Sequence, residues 1–136
     1  MNCDDVKISD EIPPLDIVVS TVQMVMYCAV TWDFARYHYD PNFVKELGFP
    51  QPVVDPQMHG AFMARALTDW VSESGKIKKI SLRYKAPCFL GDTLTYSGKV
   101  ADKYVKDGER YVDCVLVVTN KNGQCPVEGS ATISFY

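Results

Sequence analysis

His59-Gly60-Ala61-Phe62-Met63-Ala64-Arg65-Ala66-Leu67-Thr68-Asp69-Trp70-Val71-Ser72 is apolar almost all round, the pattern of a helix enclosed by other structure rather than laid on a surface. Gly75 is a suitable stop beyond it, because glycine tolerates the backbone that ends helices. Past Gly75 the apolar spacing changes from a helical period to alternation: residues 77–86, 93–105, 111–120 and 127–135 are rich in Val, Thr, Tyr and Ile, the residues that suit a pleated surface. Gly91-Asp92, Asp107-Gly108 and Asn122-Gly123 separate these runs, and Asp-Gly or Asn-Gly between alternating segments signals a hairpin. The spacing predicts an α+β architecture: an antiparallel meander wrapped around one buried helix.

Upstream, Leu15 to Val19 is a short, mostly β-branched run. Ser20 or Thr21 is then placed to cap a helix through Val30, with Val22, Met26, Ala29 and Val30 on one face, since a hydroxyl can satisfy an orphan amide of the first turn. From Thr31 to Gln57 the pattern is irregular: Asp40-Pro41 opens a short helix to about Leu47, and Gly48-Phe49-Pro50-Gln51-Pro52 ends it,. The aromatic residues of this stretch (Trp32, Phe34, Tyr37, Tyr39, Phe43, Phe49) speak for an ordered, functional connection rather than disorder,. Residues 1–14 carry Asp4, Asp5, Asp10 and Glu11 and end in Pro13-Pro14, so they read as a surface arm, leaving 15–136 as a single domain.

A chain of 136 residues is long enough for one hydrophobic core and too short for two,. Seventeen acidic against fourteen basic side chains give a net charge of −3, which recruits no polyphosphate over the whole surface, so nucleic acid is not an expected ligand. The five cysteines are odd in number and form no C-x-x-C pair; reduced, mostly buried thiols are expected. No basic-then-apolar leader, no run near the ~20 apolar residues of a membrane span and no Asn-x-Ser/Thr acceptor occurs, so a cytoplasmic protein without a membrane span is expected. A metal site would need more His, Cys and carboxylate in one cluster than this pattern offers, and none is expected.

Both histidines, His38 and His59, lie in or beside the irregular connection. Asp33 precedes His38 by five residues. In a broken helical turn that spacing lets a carboxylate and an imidazole face one small volume and hold a water or substrate proton between them, a general acid–base pair. The alternative is a solvated loop or a capping contact. His59, entering the buried helix, reads as a hydrogen-bonded structural residue or as support for the pair. Lys79, Arg83 and Lys85 share one face of a strand, either as a solvated charged face or as cations clustered for phosphate.

Three blocks resemble a known family. Asp33-Phe34-Ala35-Arg36-Tyr37-His38-Tyr39-Asp40-Pro41 is similar to the G-D-x-N-P-x-H-x-D-P block of MaoC-like, R-specific enoyl-CoA hydratases. Met58-His59-Gly60 resembles the family's H-G-M step into its central helix, and Leu82 to Leu94 resembles its F-x-x-P-V-x-x-G-D-x-L stretch. The blocks stand in family order over roughly residues 15 to 136. The resemblance implies a hot-dog fold and a hydro-lyase that adds water reversibly across the double bond of a 2-enoyl thioester, most readily an acyl-CoA. It requires no cofactor beyond the coenzyme A of the substrate.

Carried over residue by residue, the resemblance makes Asp33 and His38 the catalytic pair. Gly60 becomes the position whose amide donates to the thioester oxygen, where helix-terminal amides would meet developing negative charge. It makes Thr68 a small hydroxyl near the substrate and turns Lys79, Arg83 and Lys85, with His59, into substrate-binding candidates. The motif glycine is Trp32 here, its asparagine Ala35 and its proline Arg36, which implies a changed local backbone and the loss of a side chain that could orient the histidine. Thr68-Asp69-Trp70 resembles the small MaoC-like subunits of actinobacterial steroid side-chain hydratases, so the expected assembly is a homodimer or a heteromer with another hot-dog subunit. Two rivals remain: a non-catalytic subunit of such a heteromer, and a hot-dog acyl-CoA thioesterase using Asp69.

Overall fold

The structure, a computed structural model, describes residues 2–136. In chain order it contains β1 (Glu11–Val18), α1 (Thr21–Thr31), α2 (Pro41–Glu46), α3 (Pro56–Val71), β2 (Gly75–Tyr84), β3 (Thr93–Lys106), β4 (Glu109–Asn120) and β5 (Val127–Phe135). The strands form one antiparallel sheet in the order β1-β3-β4-β5-β2. Helix α3 packs against β1, β2 and β3. This is the hot-dog architecture, and the α+β expectation holds.

Alternation places the core. Val112, Cys114, Leu116 and Val118 of β4, with Ala131, Ile133 and Phe135 of β5 and Leu94, Tyr96 and Val100 of β3, are all buried, so every second side chain faces the helix. From α3 they meet Met58, His59, Met63, Ala66, Leu67 and Val71. These positions repeat at three and four residues and cover one face of the helix. The opposite face, including Ala61, Arg65, Thr68 and Asp69, is exposed, so the helix is buried on one side rather than all round.

The second half is a meander only from β3 to β5. Asp107 and Gly108, both at positive φ, make the two-residue turn between β3 and β4, with the twist such hairpins favour. Strand β2 skips its neighbour in sequence and pairs with β5 from Gly75↔Phe135 to Tyr84↔Val127. The place beside β3 is taken by β1, from Glu11↔Lys99 to Val18↔Thr93. Gly91-Asp92 therefore ends a connection that leaves β2 and anchors to other segments, through Leu90 N–H to Pro52 O and Gly91 N–H to Val19 O.

The expected surface arm, over its described residues 2–14, is not one. Cys3, Val6 and Ile12 belong to the core and β1 already begins at Glu11. Pro13-Pro14 are tolerated because β1 is an edge strand and its register shifts between Ile12 and Leu15, where missing donors cost no ladder bonds. All five cysteines are free, four of them buried. Burial pushes the Cys88 thiol up to about 11 and Cys114 to about 12, so both remain protonated near neutral pH.

Helix α1 starts as expected: the Ser20 hydroxyl accepts from Gln23 N–H at 3.2 Å while the Gln23 side chain returns to the Ser20 amide at 3.1 Å. Its buried face is Met24 and Cys28. The apolar face of Val22, Met26, Ala29 and Val30 points to solvent instead. The helix ends at Trp32, in the left-handed region with φ 61° and ψ 26°. The substitution at the motif glycine therefore has not changed the backbone to one that suits a side chain. It has put tryptophan into the conformation that glycine occupies most cheaply. Trp32 is 81% exposed and packs edge-on against Phe34 at a centroid separation of 5.3 Å. Trp32→Gly should raise unfolding free energy by up to about 1 kcal/mol in urea denaturation; an unchanged or lower value would show that the contact with Phe34 outweighs the strain.

Candidate active site

The irregular connection is held by backbone hydrogen bonds. Val54 N–H donates to Cys88 O and Leu90 N–H to Pro52 O, at 2.8 and 2.9 Å, so residues 52–54 run antiparallel to 88–90. Val53 N–H reaches Tyr37 O at 2.8 Å. In return the Val53 carbonyl lies 2.8 Å from His38 Nδ1. A carbonyl only accepts, so Nδ1 carries the hydrogen, and Nε2 is the nitrogen presented to the site. This contact orients His38, which is 1% exposed, in place of the absent asparagine.

Arg36 and Ala35, the other two departures, have definite partners. Arg36 clasps Asp40 Oδ2 through Nε and Nη2 at 3.1 and 2.8 Å. Asp40 Oδ1 caps α2 by accepting from Asn42 and Phe43 N–H. This keeps the Asp40 carboxyl below its ordinary range, through the Phe43 amide first and Arg36 second. Ala35 N–H donates to Asp33 Oδ1 at 3.1 Å, a local turn that fixes the direction of the Asp33 carboxylate.

Asp33 and His38 do converge. Asp33 Oδ2 lies 3.9 Å from His38 Nε2, and the Asp33 side chain is 41% exposed. The separation is longer than a direct hydrogen bond, which leaves the pair able to share a third atom.

Sequence reasoning missed Asp55. Its Oδ1 caps α3 by accepting from Gln57 N–H at 2.7 Å, and its Oδ2 lies 3.8 Å from His38 Nε2. One ligand-type atom each from Asp33, His38 and Asp55 falls within 4.8 Å of the others. The chain thus gathers more potential donors in one place than its linear pattern suggested. The signal was available: Asp55-Pro56 repeats the Asp-Pro start used to place α2,.

That earlier helix start alters the reading of Gly60. It lies in the second turn of α3, where helical geometry directs its amide to the Pro56 carbonyl rather than to a ligand. Nor does packing demand a glycine there: an added Cβ would meet only Leu82 Cδ1, at 4.0 Å. What Gly60 offers is a half-buried stretch of helix without a side chain.

The other candidates separate. His59 is buried, and its Nδ1 shares a 2.8 Å hydrogen bond with the Tyr96 hydroxyl. Loss of solvation pushes its imidazole from the ordinary 6.5 down to about 4, against a smaller opposing pull from Asp55. Thr68 is exposed and lies about 20 Å along the helix, at 1.5 Å per residue, from Asp55, the α3 cap that stands beside His38, so this chain does not bring it to Asp33 and His38. Asp69 is exposed too, paired with Arg65 at 3.6 Å. Lys79, Arg83 and Lys85 alternate with the inward Ile80 and Leu82 and so lie on the sheet face away from the helix. Lys85 is engaged by Glu128 at 2.7 Å.

A helix in the curve of an antiparallel sheet, with an Asp/His pair 3.9 Å apart near its N-terminal cap, defines a hot-dog protein. A family model described as MaoC like domain matches residues 7–122; the chain belongs to this MaoC-like family. It is 31% identical over 97 residues to the 3-oxo-4,17-pregnadiene-20-carboxyl-CoA hydratase beta subunit of Mycobacterium tuberculosis (strain ATCC 25618 / H37Rv), covering 71% of this chain and 74% of that one. Among solved structures it is similar to the ChsH1-ChsH2 complex from Mycobacterium tuberculosis, with a TM-score of 0.82, 27% identity and coverage of 96% and 98%. The (R)-hydratase from A. caviae involved in PHA biosynthesis shares the fold, with a TM-score of 0.87, 19% identity and coverage of 96% and 98%. No helix among the described residues is long and apolar enough to cross a membrane.

His59 stays neutral in the folded chain while the unfolded chain takes up a proton below pH 6.5. Its contribution to stability is therefore complete above pH 6.5, is lost as pH falls towards 4, and reaches about 3 kcal/mol in all. Denaturant unfolding followed from pH 7.5 to 4.5 should show a steeper loss for the natural chain than for His59→Gln, whose amide can still meet the Tyr96 hydroxyl; parallel curves would remove His59 as the source.

Proposed function

We propose that the protein is a hydro-lyase that adds water reversibly to a 2-enoyl thioester, an acyl-CoA, through Asp33 and His38. The observation that carries this reading is the convergence of Asp33 Oδ2 and His38 Nε2 at 3.9 Å, with His38 Nδ1 committed to Val53 O. An attacking water held by both groups gives its proton to the Asp33 carboxylate as its oxygen bonds to the β-carbon. His38 Nε2 supplies a proton to the α-carbon. Positioned acid–base groups of this kind contribute about 10²- to 10⁴-fold in rate. The relation to a hydratase subunit of a CoA thioester supports the substrate class.

Gly60 serves this reaction as open backbone. A helix-interior glycine costs about 0.5–1 kcal/mol against alanine, a cost that neither positive φ nor close packing at Gly60 explains. Close approach of the thioester to the helix accounts for it.

Assembly with a second hot-dog subunit completes the site. Around the half-exposed Asp33, Trp32, Phe34 and Tyr37 are all exposed in the single chain, and so are Val22, Val25, Met26 and Val30 of α1. Sheet edges β1 and β2 are also open, and open edges call for cover. One solved relative is a two-protein complex. The thioesterase alternative lacks support, because its carboxylate, Asp69, faces outward beside Arg65.

Loss of the enoyl-thioester absorbance of crotonyl-CoA reads the reaction directly. Asp33→Asn should lower that rate at least about 100-fold while circular dichroism stays unchanged; undiminished turnover would exclude Asp33 from the chemistry. Gly60→Ala should stabilise the fold by about 0.5–1 kcal/mol yet raise KM or lower kcat. Stabilisation with unaltered kinetics would show that substrate does not approach Gly60.

A further inference from the structure

Three side chains around the N-terminal cap of α3 each commit one polar atom to the backbone and leave the other free. Asp55 Oδ1 accepts from Gln57 N–H at 2.7 Å, Asp33 Oδ1 accepts from Ala35 N–H at 3.1 Å, and His38 Nδ1–H donates to Val53 O at 2.8 Å. The atoms left over face one another. Nε2 of His38 is 3.8 Å from Asp55 Oδ2 and 3.9 Å from Asp33 Oδ2, and one donor atom from each residue lies within 4.8 Å of the others. Asp55 Oδ2 is the one buried side-chain polar atom without a hydrogen-bond partner among the described residues, and its residue is 2% exposed. A buried carboxylate oxygen without a partner is costly unless a positive charge faces it. Among the described residues no lysine or arginine lies within 4 Å of either carboxylate.

We propose that Asp33, His38 and Asp55 form a site for one divalent transition cation of the Zn²⁺ class, and that its occupation excludes hydration. One imidazole nitrogen and two carboxylate oxygens suit such an ion, which takes these donors at about 2.0–2.2 Å. On a tetrahedron of that size neighbouring donors stand about 3.4 Å apart, so the present separations would close by roughly half an ångström around the ion. The exposed side of Asp33, whose side chain is 41% exposed, gives the ion an entry and leaves the fourth position to water. Hydrogen bonds on the far atoms are the contacts that orient ligands in metal sites, above all the Nδ1–H bond to a carbonyl, which fixes the imidazole tautomer. The exclusion rests on the hydro-lyase reading: Nε2 has one lone pair and cannot hold the ion and the proton it delivers to the α-carbon together. The metal-free chain is then the hydratase, and the ion is its reversible inhibitor.

Calorimetric titration of the chelator-stripped full chain with Zn²⁺ tests the site without reference to activity. One ion per chain should bind, and Mg²⁺ should bind at least about 10-fold more weakly, because it favours all-oxygen coordination. Asp55→Asn keeps the cap of α3, since asparagine caps as well as aspartate, and Asp33→Asn alters a half-exposed side chain. Each should weaken Zn²⁺ binding at least about 10-fold with circular dichroism unchanged. No binding to the natural chain, or binding that persists in both variants, would overturn the site; the second result would move the ion elsewhere, such as to the free thiol of Cys125. Mg²⁺ bound as tightly as Zn²⁺ would overturn it too, by taking the imidazole out of the ligand set. For the exclusion, hydration of crotonyl-CoA below its KM is followed against buffered free Zn²⁺. Inhibition should track the calorimetric binding curve and be reversed by chelator, whereas activity that requires the ion would overturn the inference as stated. Zn²⁺ binding that both variants weaken, in a chain without hydratase activity at any Zn²⁺ concentration, would support the metal site and overturn the hydration reading alone.

Discussion

The amides that begin α3 must be satisfied where the chain enters the core, and Asp55 with the rigid Pro56 does this within one residue of where the helix starts. Much else follows from that start. It sets which side chains of α3 face the sheet, and it holds residues 52–54 extended against 88–90, so the Val53 carbonyl is fixed in space. His38 hangs from that carbonyl. A helix cap thereby comes to stand beside the imidazole: the carboxylate that closes the helix has its second oxygen 3.8 Å from His38 Nε2.

The two histidines show how far environment separates identical side chains. His59 is buried beside Tyr84 and Tyr96 in the inner layer of the fold, and loss of water makes its charged form unfavourable. His38 is just as buried, yet two carboxylates confront its free nitrogen. One imidazole contributes to packing; the other faces two carboxylates at 3.9 and 3.8 Å. The site is thus built by what surrounds each ring, and Tyr96, though its hydroxyl is paired, belongs to the scaffold.

Much of the fold was legible because it depends on local rules. Alternation in β3 to β5, the Asp107-Gly108 turn, the Ser20 cap and the Asp40-Pro41 start each answer to steric or hydrogen-bonding preferences within a few residues. Asp55-Pro56 carried the same signal, but the apolar run beginning at His59 obscured it. The five-residue spacing of Asp33 and His38 allowed them to face one volume, and they lie 3.9 Å apart. Strand order escaped local reasoning, since whether β2 pairs with β3 or β5 depends on a connection that docks elsewhere. So did the outward stripe of α1 and the outward lysines of β2, because periodicity says which residues share a face and not which way that face turns.

By itself, then, the sequence determined the kinds of element, most of their limits and the chemical character of the pair, since these follow from backbone sterics and residue types close together in the chain. Tertiary structure decided the strand order, the inclusion of Cys3, Val6 and Ile12 in the core and the convergence of Asp55 on His38. Positions 33, 38 and 55 meet through a loop whose path is set by hydrogen bonds to distant backbone, at Cys88 and Leu90. Contacts of that kind have no local signature, because their free energy comes from burial and pairing that exist once the whole chain has closed around the helix.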